Sequence, residues 1–164
     1  MAHEHLDHAR RLARESLNEA QRSVWALRPQ ALEQLPLIEA LRQEIEMFTQ
    51  DGGVKASFNT SGHRRTLPAD MENTLLRICQ ESLANVRKHA QANQVEVNLS
   101  FEGEAVRLSI HDNGMGFDPT VPAEGAFGLI GMKERARLMG GTMVMQSEKG
   151  KGTLIEVKIP MERG

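Results

Sequence analysis

The chain has 164 residues, of which 40% are hydrophobic, which suffices for one modest domain with a core and an appendage. A formal net charge of -2, only 4% aromatic residues and no Tyr argue against nucleic acid as a partner, because neither a basic field nor a base-stacking surface is available. No apolar stretch approaches the roughly 18 residues of a membrane-spanning helix, and no signal peptide opens the chain. The sequence as given therefore predicts a cytoplasmic location and no membrane contact, although it could be cut from a larger, membrane-anchored protein.

The first predicted element is a long helix from His5 to Leu27, a stretch without Gly or Pro. Apolar residues recur along it every seven positions, in two rows: Leu6, Ala13, Ala20 and Leu27, then Leu17 and Val24. This spacing predicts a bundle or coiled-coil face, which needs a partner helix because one helix cannot bury it alone. Pro29 is expected to end the helix, since the residue before a proline disfavours helical geometry.

A second helix is predicted from Pro36 to about Gln50, followed by a turn, a short strand at Val54–Phe58 and a polar loop from Asn59 to Arg65. A long middle helix is expected to begin near Pro68, where proline is tolerated at the first helical position. Its apolar positions follow an i, i+3, i+4 pattern and predict the buried face: Met71, Leu75, Ile78, Cys79, Ser82, Leu83 and Val86. Cys79 is the only cysteine, so a buried thiol in a reducing cytosol is expected rather than an internal disulfide.

The second half of the chain alternates between strand and helix signals. Strands are predicted through Val95–Phe101 and Val106–Ile110, around Val144, and at Ile155–Ile159. A glycine-rich loop is predicted between His111 and Phe127, and a helix from Leu129 to Met139 that Gly140 and Gly141 end. The order of elements predicts an α/β two-layer sandwich, in which a mixed, mostly antiparallel sheet carries helices on one face and a long helix precedes it.

The polar side of the middle helix carries a row of four side chains that suit a metal-bound polyphosphate. Glu81, Asn85 and Lys88 are spaced four and three apart, and His89 is adjacent. The amide oxygen suits Mg²⁺, which prefers hard oxygen ligands and keeps several waters, and the ammonium can meet phosphate as a point charge. An ordinary solvated helix face has a similar composition, so the row indicates a polyphosphate site only in combination with glycine-rich segments elsewhere in the chain.

Three glycine-rich segments accompany that row. Asp112-Asn113-Gly114-Met115-Gly116-Phe117 directly follows a strand, and its glycines let the backbone approach a ligand while Asp112 can accept hydrogen bonds from an exocyclic amine such as that of adenine. Residues 125–132 lead into a helix, whose free N–H groups form a natural phosphate site. Gly150-Lys151-Gly152-Thr153 alone is typical of a common glycine hairpin.

These four segments, in this order, resemble the nucleotide-binding domain of sensor histidine kinases, within the wider class of gyrase, heat-shock chaperone, histidine kinase and mismatch-repair ATPases. Residues 81–90 resemble the asparagine box, 112–117 and 127–132 the two glycine boxes, and 150–153 the closing Gly-Thr element. Leu27-Arg28-Pro29, Leu67-Pro68, Lys88-His89-Ala90 and the segment from Gly128 to Arg135 are further similar to the nitrate-sensor-like subfamily.

The resemblance implies a role for each matched position. Asp112 would recognise the adenine amine, Asn85 would bind the Mg²⁺ that bridges the phosphates of ATP, and Lys88 with His89 would contact phosphate. Glu81 would serve as general base or orient a water. The other implied nucleotide-site residues are Gly114, Gly116 and Phe117 at the adenine pocket, Gly128, Leu129, Gly131 and Met132 at the lid, and Gly152 and Thr153 at the adenine end.

The resemblance also implies transfer of the γ-phosphoryl group of ATP to a histidine and then to an aspartate of a response regulator. Residues 1–29 are interpreted as part of the second helix of the dimerisation hairpin, through which the parent kinase would form a homodimer, and residues 30–164 as the catalytic domain. The expected acceptor histidine would lie on the other hairpin helix, so we expect Mg-ATP binding without autophosphorylation, and self-association or fraying of the first helix. His3, His5 and His8 are interpreted as helix-surface residues rather than as a metal site.

Three alternatives stay open at this point. An anti-sigma-factor-type serine kinase shares the nucleotide boxes, and a gyrase- or mismatch-repair-type ATPase would bring a second domain with a catalytic lysine, for which 164 residues leave no room. A nucleotide-binding regulatory module without transfer activity is the third, and the presence of both Glu81 and Asn85 argues against it. The lid between Gly116 and Gly128 is expected to be disordered when the site is empty.

Overall fold

The computed structural model describes residues 2–27, 29–121 and 126–161; in the first helix it describes the side chains of residues 5–17, 19–20 and 23–24. The helices are α1 (Ala2–Ala26), α2 (Gln30–Gln34), α3 (Leu37–Gly52), α4 (Ala69–Asn85) and α5 (Phe127–Leu138), and a π-helical turn (Val86–Ala90) follows α4 directly. The strands are β1 (Lys55–Ser61), β2 (Gln94–Glu102), β3 (Ala105–Asp112), β4 (Thr142–Ser147) and β5 (Thr153–Pro160). Within this part of the chain, each helix is too short or too polar to cross a lipid bilayer.

The strands form one sheet in the order β1-β2-β3-β5-β4. β1 is parallel to β2, and the other neighbouring pairs are antiparallel. Along β2, β3 and β5 the side chains alternate between buried and more exposed positions, as a sheet covered on one face requires. The predicted two-layer α/β sandwich with a mixed, mostly antiparallel sheet is confirmed.

The core lies between the sheet and helices α3, α4 and α5. The predicted apolar stripe of α4 is buried at each of its positions, including the thiol of Cys79. Fully buried side chains from both layers meet there: Leu41 of α3, Leu75, Leu76 and Ile78 of α4, Met132 of α5, and Val97, Leu99, Leu108 and Val157 of the sheet. This packing holds α4 against the sheet, so the C-terminal end of α4 lies next to the strand ends that carry the glycine-rich loops.

The predicted polar loop from Asn59 to Arg65 is wrong over its first three residues, because β1 extends to Ser61. β1 is an edge strand, and its inward-facing side chains are only half-buried, so these residues need not be apolar. The strand is defined by its pairing with β2, in which Ser61 lies opposite Ser100. Local hydropathy cannot reveal a backbone pairing between segments 39 residues apart, as Ser61 and Ser100 are.

Two short helical elements differ from the expectation as well. α2 begins directly after Pro29, whose fixed φ suits the start of a helix, and it buries Leu32. The π-helical turn at Val86–Ala90 ends at Gln91, which adopts a left-handed conformation with φ of 50°. A π-helical turn leaves no simple periodic signal in five residues, and such turns occur often at functional sites.

Helix α1 leaves its predicted apolar face uncovered by the rest of the described chain. Leu6, Leu17, Val24 and Leu27 are 46–66% exposed. The helix ends at Ala26, close to the predicted end at Pro29. The exposure agrees with a face that needs a partner helix, whereas self-association through it stays a prediction.

The buried Cys79 gives a testable dependence of stability on pH. Burial, and to a smaller extent the negative charge of Glu44, raises the pKa of the Cys79 thiol from 9.0 to about 12. The unfolded chain releases this proton near its ordinary pKa, so the contribution to stability is fully present below about pH 9 and is lost as the pH rises toward 12. As the pH rises between these values, the free energy of unfolding, measured with urea, should fall less for Cys79→Ala than for the parent protein. An equal fall in the free energy of unfolding of the two proteins would contradict this expectation. The buried thiol of the folded parent protein should also resist thiol reagents near pH 8.

Candidate functional site

Polar side chains replace apolar ones at one end of the covered sheet face. Asp112 of β3 pairs with Thr153 of β5, and Thr153 pairs with Ser147 of β4. Two residues further into the sheet, the equivalent β3–β5 pair is Ile110 with Ile155, and both are buried. Because residues two apart in a strand share a face, the carboxyl and the two hydroxyl groups form one row at the edge of the core. Asp112 is only 5% exposed, so its carboxylate is a buried acidic group at a strand end.

The loop after β3 holds the Asp112 carboxylate and ties it to the end of the α4 segment. The backbone N–H of Gly114 donates to Asp112 Oδ1 at 2.8 Å. A Cβ at Gly114 would collide with the carbonyl oxygen of Ala90, the last residue of the π-helical turn. The next residue, Met115, donates its N–H to the same carbonyl at 2.7 Å. The first glycine box and the end of the asparagine box are thereby in direct backbone contact.

Gly116 and Gly152 close the other side of this loop. Their φ values are 58° and 78°, which L side chains rarely adopt. A Cβ at Gly152 would collide with the carbonyl oxygen of Asp112, and one at Gly116 with that of Glu148. The N–H of Gly150 donates to the carbonyl of Met115 at 2.6 Å, so the closing turn lies directly on the loop that contains Asp112.

Ser147 and Asn113 belong to this cluster, although sequence reasoning did not identify them. Ser147 Oγ accepts from the N–H of Phe117 at 2.9 Å and lies 2.8 Å from Thr153 Oγ1. Asn113 Oδ1 accepts from the N–H groups of Asn93 and Gln94 at 3.1 and 3.0 Å. For Ser147 a signal was present, since it is the last residue before a short turn that leads to Thr153, and hairpin pairing sets the two opposite each other.

The predicted polar row spans the end of α4 and the π-helical turn, which is bonded to this loop through Ala90. Glu81 and Asn85 are half-buried near the end of the helix, and Lys88 and His89 are exposed on the π-helical turn. A Cβ at Gly128 would collide with Oε1 of Glu81. The first turn of α5 therefore lies against the Glu81 carboxylate, and Gly128 permits this close approach.

The remaining lid positions differ in their surroundings. Met132 is fully buried, and its sulfur lies 3.6 Å from the hydroxyl of Ser82, so its side chain is part of the core. Leu129 is half-buried against the same core, and Gly131 has open space around it. Contact of these three residues with a nucleotide stays a prediction. The predicted disorder of the lid between Gly116 and Gly128 also stays a prediction, and residues 122–125 of that segment lie outside the described residues.

The described oxygen donors at the end of α4 fit a metal site that a ligand completes. Over the described part of the chain, His, Cys, Asp and Glu form no group of three or more that could hold an ion. Glu81 and Asn85 are half-buried, lie one helical turn apart and each carry a hard oxygen donor. Mg²⁺ commonly binds through one or two protein oxygens plus substrate phosphates and waters, so these residues fit a metal that arrives with a nucleotide.

Comparison with known proteins finds a matching family and several relatives. Residues 70–163 match the family described as histidine kinase-, DNA gyrase B-, and HSP90-like ATPase. The chain is 38% identical over 152 residues to the signal transduction histidine-protein kinase/phosphatase DegS of Brevibacillus brevis, covering 93% of this chain and 39% of that protein. It is 35% identical over 150 residues to the sensor histidine kinase LiaS of Bacillus subtilis (strain 168), covering 92% of this chain and 41% of that protein. The chain therefore spans about two fifths of the length of these curated relatives.

A solved structure shows the same fold. The histidine kinase domain of the Erythrobacter litoralis EL346 blue-light activated histidine kinase matches with a TM-score of 0.60 and 21% sequence identity. The match covers 77% of this chain and 62% of that one. At this identity the likeness is one of fold, and it agrees with the two-layer sandwich described above.

Proposed function

Because the chain belongs to the histidine kinase-, DNA gyrase B- and HSP90-like ATPase family and carries the ATP-binding catalytic domain of a sensor histidine kinase, we propose that the site described above binds Mg-ATP for transfer of the γ-phosphoryl group to a histidine. One observation carries the proposal for this chain. The buried Asp112 carboxylate is held by Gly114 in a loop that is bonded, through Ala90, to the segment that carries Asn85 and Lys88. The proposed amine-reading acid and the proposed phosphate-binding groups thus lie on segments that are joined by a backbone hydrogen bond.

Asp112 and Thr153 form the adenine end of the proposed site. One oxygen of the carboxylate accepts from Gly114, which fixes the orientation of the group and leaves the second oxygen for a ligand. An ionised carboxylate only accepts hydrogen bonds, so it matches the exocyclic amine of adenine. Thr153, directly opposite on β5, adds a hydroxyl oxygen beside it.

Asn85, Lys88 and His89 form the phosphate end. The Asn85 amide oxygen would hold Mg²⁺, which when bound offsets negative charge on the phosphates. The Lys88 ammonium is exposed on the π-helical turn, where it can reach phosphate oxygens, and His89 beside it can donate a hydrogen bond. These groups position the γ-phosphoryl and reduce the charge repulsion that an incoming nucleophile meets.

Glu81 is proposed to accept a proton from the attacking group or to orient it. It lies one helical turn from Asn85, so it is close to the proposed metal and phosphate positions. Its contact with the first turn of α5 limits where the carboxylate can point. A general base acts only when it lies within hydrogen-bond reach of the proton it removes. The contact with α5 meets this requirement by holding the Glu81 carboxylate in a restricted position.

The partners and location belong to the proposal too. Relatives named as histidine kinases support histidine rather than serine as the acceptor, and a response regulator as the next protein in the relay. The exposed apolar face of α1 supports a homodimer in the whole kinase. We further propose that this domain works in the cytoplasm. Membership of the nitrate-sensor-like subfamily stays a prediction.

The proposal is tested by calorimetric titration of the chain with ADP and with a non-hydrolysable ATP analogue, each with and without Mg²⁺. The expected result is one site per chain, with tighter binding of the ATP analogue when Mg²⁺ is present. Absence of binding by a folded protein would contradict the proposed function.

Gly128→Ala separates the role of Glu81 from nucleotide binding. The new methyl group meets the flexible end of the Glu81 side chain, so the carboxylate must move while the backbone need not. We expect affinity for ADP to change little and phosphoryl transfer to fall about 10- to 100-fold, since small misplacements of reacting groups cost that much. Phosphoryl transfer is measured as the passage of label from the γ-phosphate of ATP to the acceptor histidine of a dimerisation hairpin that is joined to this chain.

Gly131→Ala is the matched control, because Gly131 lies in the same helix with open space around it. That change should stabilise the helix by about 0.5–1 kcal/mol. Because Gly131 is itself a predicted lid residue, the transfer rates are compared at saturating ATP, where the rate of Gly131→Ala should equal that of the parent. A transfer rate in Gly128→Ala equal to that of the control would show that the position of Glu81 does not matter.

A further inference from the structure

The hydroxyl of Ser147 has three hydrogen-bonding neighbours. It accepts from the N–H of Phe117 at 2.9 Å, donates to the carbonyl of Gly152 at 3.2 Å, and lies 2.8 Å from the hydroxyl oxygen of Thr153. Ser147 is half-buried at the end of β4 and does not itself belong to the proposed nucleotide contacts. Its three partners, Phe117, Gly152 and Thr153, are all among the residues predicted to form the nucleotide site.

Counting protons fixes the direction of the bond between the two hydroxyl groups. A serine hydroxyl has one proton and two lone pairs. The proton of Ser147 goes to the Gly152 carbonyl, which is an acceptor only, and one lone pair takes the Phe117 N–H. The contact with Thr153 can then form only if the Thr153 hydroxyl donates its own proton to the second lone pair of Ser147. Thr153 is left with lone pairs alone to offer to a ligand.

Thr153 lies directly opposite Asp112 in the β3–β5 pair, so the two side chains are cross-strand neighbours about 5 Å apart at Cβ. Both then offer only acceptors toward the same volume. A 6-amino purine presents an N–H donor at that position, whereas a 6-oxo purine presents an acceptor. Two fixed acceptors favour the first and repel the second.

We propose that Ser147 is a positioning residue that fixes the direction of the Thr153 hydroxyl and thereby increases selectivity for adenine over 6-oxo purines. The inference rests on the proposed function and extends it to a residue outside the glycine boxes. Without the Ser147 acceptor, the Thr153 hydroxyl is free to rotate and donate to a 6-oxo group, so the penalty against that base falls.

A simpler role for Ser147 would be to anchor the loop through the Phe117 N–H. Loss of that anchor would loosen the site for every nucleotide alike, whereas loss of hydroxyl direction changes the ratio of two affinities. The readout is therefore the ratio of the dissociation constants of inosine diphosphate and ADP, measured by calorimetry. These ligands differ in the purine ring alone.

Ser147→Ala is expected to lower this ratio about fivefold, which corresponds to one neutral hydrogen bond. Ser147→Thr keeps the hydroxyl, suits a β-strand, and should restore the ratio to within about twofold of the parent value. If Ser147→Ala does not fold, Ser147→Cys replaces it, since its sulfur is a weak acceptor in nearly the same volume.

Equal weakening of both ligands in Ser147→Ala, with the ratio unchanged, would overturn the proposal and leave Ser147 as a loop anchor. An unchanged affinity for both ligands would overturn it as well. Failure of the parent protein to bind ADP is a different result, because it removes the proposed function itself.

Discussion

Asp112→Asn should weaken the binding of ADP about 100-fold without unfolding the domain. Gly114 N–H holds one oxygen of the side chain, so the amide keeps its oxygen there and turns its NH₂ group toward the ligand. A buried donor then faces the exocyclic amine of adenine, and a charge-assisted hydrogen bond is replaced by a repulsive contact. Losing such a bond costs up to about 3 kcal/mol, which is about two orders of magnitude in affinity. Calorimetric titration measures the change directly.

Asp70→Asn is the matched control for this substitution. Asp70 lies in the first turn of α4, at the opposite end of that helix from the site, and its carboxylate accepts from the N–H of Met71. Asn can make the same bond, so neither stability nor ADP affinity should change by more than about twofold. A similar affinity for ADP in Asp112→Asn and in the control would show that Asp112 does not read the base.

Gly152→Ala should destabilise the domain by about 2–5 kcal/mol and abolish nucleotide binding. The residue has φ of 78°, which costs an L residue about 1–2 kcal/mol. The added Cβ would also collide with the carbonyl oxygen of Asp112, a backbone atom that cannot rotate away. Overpacking of this kind costs about 1–3 kcal/mol more, and relief of the collision displaces Asp112 itself. Urea unfolding gives the stability, and titration with ADP gives the affinity.

Gly150→Ala separates the collision from the backbone conformation. Gly150 lies two residues away in the same turn, has φ of 82°, and has open space where a Cβ would be placed. It should therefore lose about 1–2 kcal/mol of stability and retain ADP binding. Similar losses of stability and ADP affinity in Gly152→Ala and Gly150→Ala would mean that the turn can move away from Asp112. The close contact at Gly152 would then not be required for folding or binding.

Local patterns sufficed for the elements with strong periodicity. The stripe from Met71 to Val86 predicted the buried face of α4, and the alternation in Val95–Phe101 and Val106–Ile110 predicted two central strands. These predictions are confirmed because burial on one face imposes a fixed spacing on the side chains. The edge strand β1 was partly missed at Asn59–Ser61, since an edge strand is half-covered and tolerates polar residues on both faces.

The residues of the proposed site could be recognised from the sequence to a similar, limited extent. Asp112 and the glycines could be recognised from their order and spacing, because a sharp backbone turn beside an acid restricts which residues can stand there. Hairpin pairing could have placed Ser147 opposite Thr153, but the bonds that Ser147 and Asn113 make to more distant segments could not be recognised from the sequence. Their importance comes from partners at Phe117 and Gln94, which are 30 and 19 residues distant in the chain.

Composition and periodicity thus determine the fold class and the buried helix face, and the motifs of the asparagine and glycine boxes carry the resemblance to the family. The tertiary structure decides how the segments act together: it bonds the Gly114 loop to Ala90, places Gly152 against Asp112, and sets Gly128 against Glu81. The physical reason is the range of the interactions. Helix and strand patterns arise from neighbours within a few residues, whereas close backbone contacts and the direction of a hydroxyl proton depend on strands and helices that only folding brings together.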